Sequence, residues 1–186
     1  MSQPETLTFD TLTSLASPKS AYVLTYSFLF GMSFWVTFFG GVIAFRALPR
    51  QMFGALQHRT FPVYFNMTIA LSAPLAAYWT YTHPAVLEHY LNPRVADVAQ
   101  AYALGVVFLS QALNAFVIGP LTSKTMFKRH KLEKKEGKQY NEPGVSDEMK
   151  ALNRTFGQLH GWSSLLNLGV VIALGFHGLW IGTYGI

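Results

Sequence analysis

The chain has 186 residues, 51% of them apolar and 12% charged, with 14 lysines and arginines against 9 acids and a formal net charge of +5. That is one domain's length, richer in apolar residues and poorer in charge than a soluble average, so a disordered chain and an ordinary soluble domain are both excluded. With no cysteine, a disulfide framework and thiolate chemistry are excluded as well.

In chain order, the first twenty residues carry Glu5, Asp10 and a single base, Lys19. They lack the charged leader of a signal peptide and the arginines of a transit peptide. The apolar run 21–45 that follows is too long for a cleaved segment and is read as an uncleaved anchor. Ser33, Thr37 and Gly41 recur every four residues along it, with Gly40 beside the last, a spacing that predicts a close helix–helix seam in lipid.

The first connection, "FRALPRQMFGALQHRTFPVYF" with its flanks, holds Arg46, Arg50 and Arg59 and no acid. Pro49 is expected to open a short interfacial helix, with Phe53 and Leu56 toward lipid and Arg50 and Gln57 toward headgroups. A second span, 61–81, places Pro62 near its first turn and Pro74 where it should kink the helix. Tyr78, Trp79 and Tyr81 mark an interface.

A third span covers 98–118, with Gln100, Gln111 and Asn114 on one helix face. Gly119-Pro120 is expected to end or bend it. In the basic connection 119–157, Glu133 and Glu136 among lysines read as a solvated helix stopped by Gly137. Ser146 before Asp147 and Glu148 reads as an N-cap opening a helix that runs into a fourth span, 158–181. Each span reaches the roughly 20 residues that cross about 30 Å of hydrocarbon.

Twelve bases fall in the first and third connections, against Lys19 and Arg94 elsewhere. This bias puts both connections in the cytosol and both termini on the opposite side. The expected fold is all-α, an integral membrane four-helix bundle with a short interfacial helix and a cytosolic basic helical connection.

Depth along the spans brings Asn66, Gln111, Asn114 and Asn167 toward one level, a candidate intramembrane polar cluster that is either amide glue or the lining of a path. Arg46, Arg50, His58, Arg59 and His160 form a candidate lipid or partner contact on the cytosolic side. His83, Glu88 and His89 match no zinc spacing. No metalloprotease motif, phosphate-binding glycine loop or catalytic triad pattern occurs, so no catalytic, cofactor or metal residue is assigned. The bases of "KTMFKRHKLEKKEGK" suit anionic headgroups rather than nucleic acid.

Two blocks carry a family likeness. The first comprises Trp35-Val36-Thr37-Phe38, Gly41, Phe45-Arg46, Leu48-Pro49-Arg50, Phe53-Gly54, Gln57, Phe61-Pro62 and Tyr64-Phe65. The second comprises Asn153, Phe156, His160-Gly161, Ser163-Ser164-Leu165 and Asn167-Leu168-Gly169. Together they resemble the transmembrane protein 205 family, in its fungal and plant form.

The resemblance implies a small multi-pass protein of the plasma membrane or the secretory pathway, endoplasmic reticulum included, without a defined activity or known catalytic residues. Animal members carry an acid before the proline that here follows Gly119, so an ion pair from that position to the first-connection arginines is not expected. The reading is thus a non-enzymatic membrane protein without cofactor whose basic rim engages lipid headgroups or a partner. The alternative is a small transporter or efflux component, as a homo-oligomer, with an amide-lined path.

Overall fold

The structure, a computed structural model, describes residues 6–186. The reading of a missing leader rests in part on residues 1–5 and lies outside them. Among the described residues the chain is helical, with no strand.

A short helix α1 (Phe9–Ser14) is closed by a reciprocal cap between Thr8 and Thr11. Ser17 caps α2 (Pro18–Trp35) by accepting from the Ser20 N–H, with Pro18 in the first turn where its missing donor costs nothing. One π turn, Val36–Gly40, joins α2 to α3 (Gly41–Ala47), giving a rod of 30 residues. After a two-residue break at Leu48-Pro49 comes α4 (Arg50–Thr82), 33 residues long. A single turn, α5 (Ala85–Glu88), precedes α6 (Ala96–Leu113).

A second π turn, Asn114–Ile118, continues α6 into α7 (Gly119–Glu136) as a 41-residue rod. Gly137, at φ 66°, ends that rod in the left-handed conformation and donates to the Glu133 carbonyl. Ser146 then caps α8 (Asp147–Tyr184), 38 residues, as its sequence suggested.

By length and composition, three of these rods can cross a membrane: Pro18–Ala47, Ala96–Glu136 and Asp147–Tyr184. The α4 helix is not among them; its apolar part, 61–82, is diluted by Pro62, Asn66, Pro74 and several tyrosines. The rods pack in cyclic order, α2 on α4, α4 on α6, α6 on α8 and α8 back on α2. Their outer faces are covered with large apolar side chains, among them Leu24, Leu109, Phe116, Ile172 and Leu179. A belt of that kind is stable only against lipid or another apolar partner.

Three local expectations change. Arg50–Thr60 is no separate interfacial helix: Pro49 starts a helix that nothing stops before Thr82, so both Pro62 and Pro74 lie inside it. Gly119-Pro120 does not end the third rod. Proline's ring collides with the carbonyl four residues back in an α-helix, and the wider π turn relieves this by pairing the Gly119 N–H with the Asn114 carbonyl. A Cβ on Gly119 would stand 2.6 Å from that carbonyl oxygen, so the turn requires glycine. Finally, the small-residue seam is carried by Ser33 and Thr37, whose hydroxyls are buried. Gly41 has no neighbour within 4 Å of where a side chain would sit.

Candidate functional site

Polar side chains enter the bundle at three levels, and the two inner ones follow from the antiparallel pairing of α6 with α8. Along α6 the buried order is Gln100, then Leu104 and Val107, then Gln111 and Asn114; along α8 it is Asn167, then Val170 and Leu174, then His177. Polar therefore meets polar, and apolar meets apolar.

At the amide level, Gln111 Nε2 donates to Asn167 Oδ1 at 2.9 Å and to the Tyr64 hydroxyl at 3.2 Å. Asn114 Nδ2 donates to Asn167 Oδ1 at 3.3 Å and to Gln111 Oε1 at 3.5 Å. Three of the four expected residues meet. Asn66 does not: it is exposed, two residues from the buried Tyr64 and therefore about 200° around the helix from it. Tyr64 supplies α4's contribution instead.

At the other end, His177 is fully buried between two partners. The Tyr22 hydroxyl lies 2.6 Å from Nε2 and Gln100 Oε1 lies 2.9 Å from Nδ1. The acceptor at Nδ1 requires the proton there, so Nε2 accepts from tyrosine in the neutral ring. Trp79 packs edge-on against the imidazole at 5.0 Å and donates to the Asp97 carbonyl at 3.0 Å, with His83 stacked on its outer face at 3.8 Å. Sequence reasoning missed His177, which sits alone in "GFHGLW" with no motif around it. Its one signal was a position ten residues, about 15 Å, beyond Asn167, which matches the Gln100 to Gln111 interval.

Between these levels Leu29, Leu104, Val107, Val170 and Leu174 are all inaccessible to solvent. They form a closed apolar layer, so the polar levels do not join into a continuous path in this conformation.

The third level gathers at the basic end. Arg50 at the start of α4 makes an ion pair with Glu133 of α7, and Glu133 Oε1 also accepts from the Tyr140 N–H at 2.8 Å. The Tyr140 ring lies between two guanidinium groups, Arg50 at 4.1 Å and Arg129 at 4.2 Å, and Arg129 also covers Phe156 at 4.6 Å. Asn153 Nδ2 donates to the Tyr140 carbonyl at 2.7 Å. One loop tyrosine thus ties α4, α7 and α8 together. Beside it a cavity of about 560 Å³ is lined by Arg50, Lys134, Lys138, Glu133 and Glu142 among others.

The acid that partners Arg50 is therefore Glu133. Asp147 bonds Lys150 at 2.8 Å. Nor is the α7 helix solvated on all sides. Glu133 is buried, and Glu136 turns to accept from the Ser146 hydroxyl. His130, beyond the apolar stretch of this rod, is held below the ordinary imidazole value by its burial first and by Arg50 next.

The other expected contact residues are spread out. Arg46, Arg59 and His160 are exposed. His58 reaches Ser123 Oγ at 3.0 Å and packs edge-on to Phe127, while His160 stacks on Phe156 of its own helix. The structure does not draw them into one pocket. No group of three or more metal-ligating side chains occurs among the described residues.

Residues 24–131, more than half of the chain, match a family profile described as a domain of unknown function (DUF4149). A curated relative, transmembrane protein 205 of Danio rerio, is 28% identical over 163 residues, covering 81% of this chain and 84% of that protein. No solved structure matches. The apolar rods and this relative mark an integral membrane protein. The chain belongs to the DUF4149 family and is similar to transmembrane protein 205 across most of its length.

Proposed function

We propose that the chain crosses the membrane four times, α4 included, and that its basic end is a cytosolic rim that engages anionic lipid headgroups without catalysing a reaction. One observation carries the reading. Of the two acids of α7, Glu133 is buried against Arg50 and the half-exposed Glu136 is held by the Ser146 hydroxyl, while Lys124, Lys128, Lys131, Lys134 and Lys135 stay exposed. The outward surface of α7 is therefore predominantly basic. Exposed Arg46 and Arg59 continue that surface across the first connection.

Each base near an anionic surface contributes about 1 kcal/mol, an attraction that fades within a Debye length. A fourth crossing is supported by the cyclic packing, by an α4 length of about 50 Å, and by exposed Val63 and Met67 on its outer face. A transport path through the amide level is disfavoured by the apolar layer above it.

The test is lipid retention by the purified full chain, read by native mass spectrometry from mixed phosphatidylcholine and phosphatidylserine. The reading expects preferential retention of phosphatidylserine that falls as salt rises. It also expects the preference to vanish when Lys124, Lys128, Lys131 and Lys135 are changed together to Gln. Equal retention of both lipids at low salt refutes it.

A further inference from the structure

The cavity beside Tyr140 has acids that are engaged and bases that are not. Glu133 pairs with Arg50 and accepts from the Tyr140 N–H through one oxygen, while its other oxygen is sealed from solvent. Glu142 accepts through Oε1 from the Gln139 N–H at 3.1 Å. Lys134 has neither a hydrogen bond nor an ion pair among the described residues. Lys138 Nζ donates to the Gly144 carbonyl at 3.0 Å and has no acid beside it. The Arg50 guanidinium is fixed by Glu133 and by the Tyr140 ring at 4.1 Å, yet keeps 29% exposure. Three cations thus line one cavity of about 560 Å³, within the roughly 300–1,000 Å³ of small-ligand sites. The uncapped first turn of α4, from Pro49 to Met52, forms a further wall.

Behind this wall the charges do not balance. Arg129 is 5% exposed, stacks on Tyr140 and Phe156, and has no carboxylate within ion-pair distance among the described residues. Glu133 is thus one buried acid for two guanidinium groups, and a buried cation without its counter-charge is costly. An anion in the cavity reduces that excess. Depth narrows the choice of anion. Arg50 is separated from Phe61, where the apolar part of α4 begins, by about 15 Å along the helix, and so is Glu133 from Ser123, where the charge-free part of the α6–α7 rod ends. The polar layer of one leaflet is only about 5 to 8 Å deep. The cavity therefore stands beyond the ordinary phosphodiester level, in reach of a phosphate raised on a headgroup ring or of a free one. Phosphate suits a guanidinium fork joined by two ammonium groups. Exposed Glu142 leaves its second oxygen to accept from a ring hydroxyl. Among the described residues the wall holds no aromatic ring on which a nucleobase could stack.

We infer that this cavity binds the phosphate monoesters of a phosphorylated polyol ring, held by Arg50, Lys134 and Lys138 with Glu142 accepting from a ring hydroxyl. The ring is the headgroup of a phosphoinositide or a free inositol phosphate, two sources of one chemistry. The inference rests on the rim reading only for the side on which the basic end lies, and its lysines are not those that the rim test changes.

The experiment is isothermal titration calorimetry of the purified full chain in phosphatidylcholine nanodiscs, with inositol trisphosphate and, separately, inorganic phosphate as probes. A second arm reads retention of phosphatidylinositol bisphosphate by native mass spectrometry. Saturable binding is expected in at least one arm, with inorganic phosphate the weaker probe. Lys134→Gln, which breaks no hydrogen bond in the structure, should weaken it roughly tenfold, and Lys134→Gln with Lys138→Gln about 100-fold. Changing Lys124, Lys128, Lys131 and Lys135 together to Gln should leave it within about threefold, since those charges act only through screened distance. Binding of inositol trisphosphate without lipid retention identifies a free ligand, and retention of the lipid identifies a headgroup. No saturable binding in either arm overturns the inference, as does equal affinity for inorganic phosphate or a Lys134→Gln, Lys138→Gln chain that binds like its parent. A parent chain that binds inositol trisphosphate but shows no phosphatidylserine preference refutes the rim and leaves the cavity standing; the reverse result refutes the cavity alone.

Discussion

Replacing Gln111 with Leu tests the amide level directly. The side chain donates at 2.9 Å to Asn167 and 3.2 Å to Tyr64, and accepts from Asn114 at 3.5 Å, where a hydrogen bond counts for little. Two effective bonds are lost. Side-chain hydrogen bonds between membrane helices average about 0.6 kcal/mol and reach about 1.7, so the loss is about 1 to 3 kcal/mol. Leucine recovers little, since lipid solvates it as well as the bundle does. The folded-to-unfolded ratio should fall about 5- to 150-fold.

The assay is reversible unfolding in mixed micelles of dodecyl sulfate and a mild detergent, followed by tryptophan fluorescence. Asn66→Leu is the internal control, because Asn66 is exposed and forms no bond in the structure; its change should stay within about 0.5 kcal/mol. A Gln111→Leu chain as stable as its parent, or an Asn66→Leu chain that loses as much, refutes the reasoning.

Four further outcomes follow from the same geometry. Gly119→Ala should destabilise the chain by more than the few tenths of a kcal/mol typical of surface changes, because its Cβ would lie 2.6 Å from a backbone oxygen that has no freedom to yield; the same micelle titration reads it. Glu133→Ala should cost about 2 kcal/mol, between an exposed and a buried pair, since Arg50 keeps 29% exposure and Glu133 only 7%. It should also speed proteolysis at Tyr140, whose main chain it releases. Tyr22→Phe removes the 2.6 Å bond to His177 and should cost about 1 kcal/mol, read by thermal melting. His130 has a lowered pKa in the folded state, so the unfolded chain binds its proton first as pH falls. Its penalty is absent well above the ordinary value of about 6.5 and grows as pH drops below it, so His130→Gln should flatten the stability profile between about pH 5 and 7.

The architecture was legible where one physical rule dominated. Charge-free runs located the long rods, Ser146 with Asp147 and Glu148 marked the start of α8, and Gly137 its predecessor's end. Gln111, Asn114 and Asn167 were legible from depth alone, because 1.5 Å per residue fixes height along a helix. Rotation about the axis was not legible. Asn66 and Tyr64 share a height, and only the packing of α4 on α6 decides which one turns inward.

Glu133 was misread for a related reason. Its lysine neighbours describe an exposed face, whereas its own position faces Arg50 across the bundle. A spacing of four from Arg129 on the same helix, together with an acid-free connection needing a counter-charge, was the available sign. The continuation of the third rod through Pro120 was hidden because a π turn has no residue pattern of its own; only the glycine before the proline hinted at crowding there. His177 illustrates the limit of motifs, since its two partners lie 155 and 77 residues away.

The account rests most heavily on α4 crossing the membrane, which sets the two basic connections on one side. Because the chain has no cysteine, single substitutions Gln51→Cys, Glu88→Cys and Gln139→Cys, all at exposed positions, report their own location when intact cells are treated with a membrane-impermeant thiol reagent. The account predicts that Glu88→Cys is labelled from outside, or from the lumen of sealed vesicles, while Gln51→Cys and Gln139→Cys are labelled only after the cytosolic face is opened. Labelling of Gln51→Cys and Glu88→Cys from the same side would contradict it.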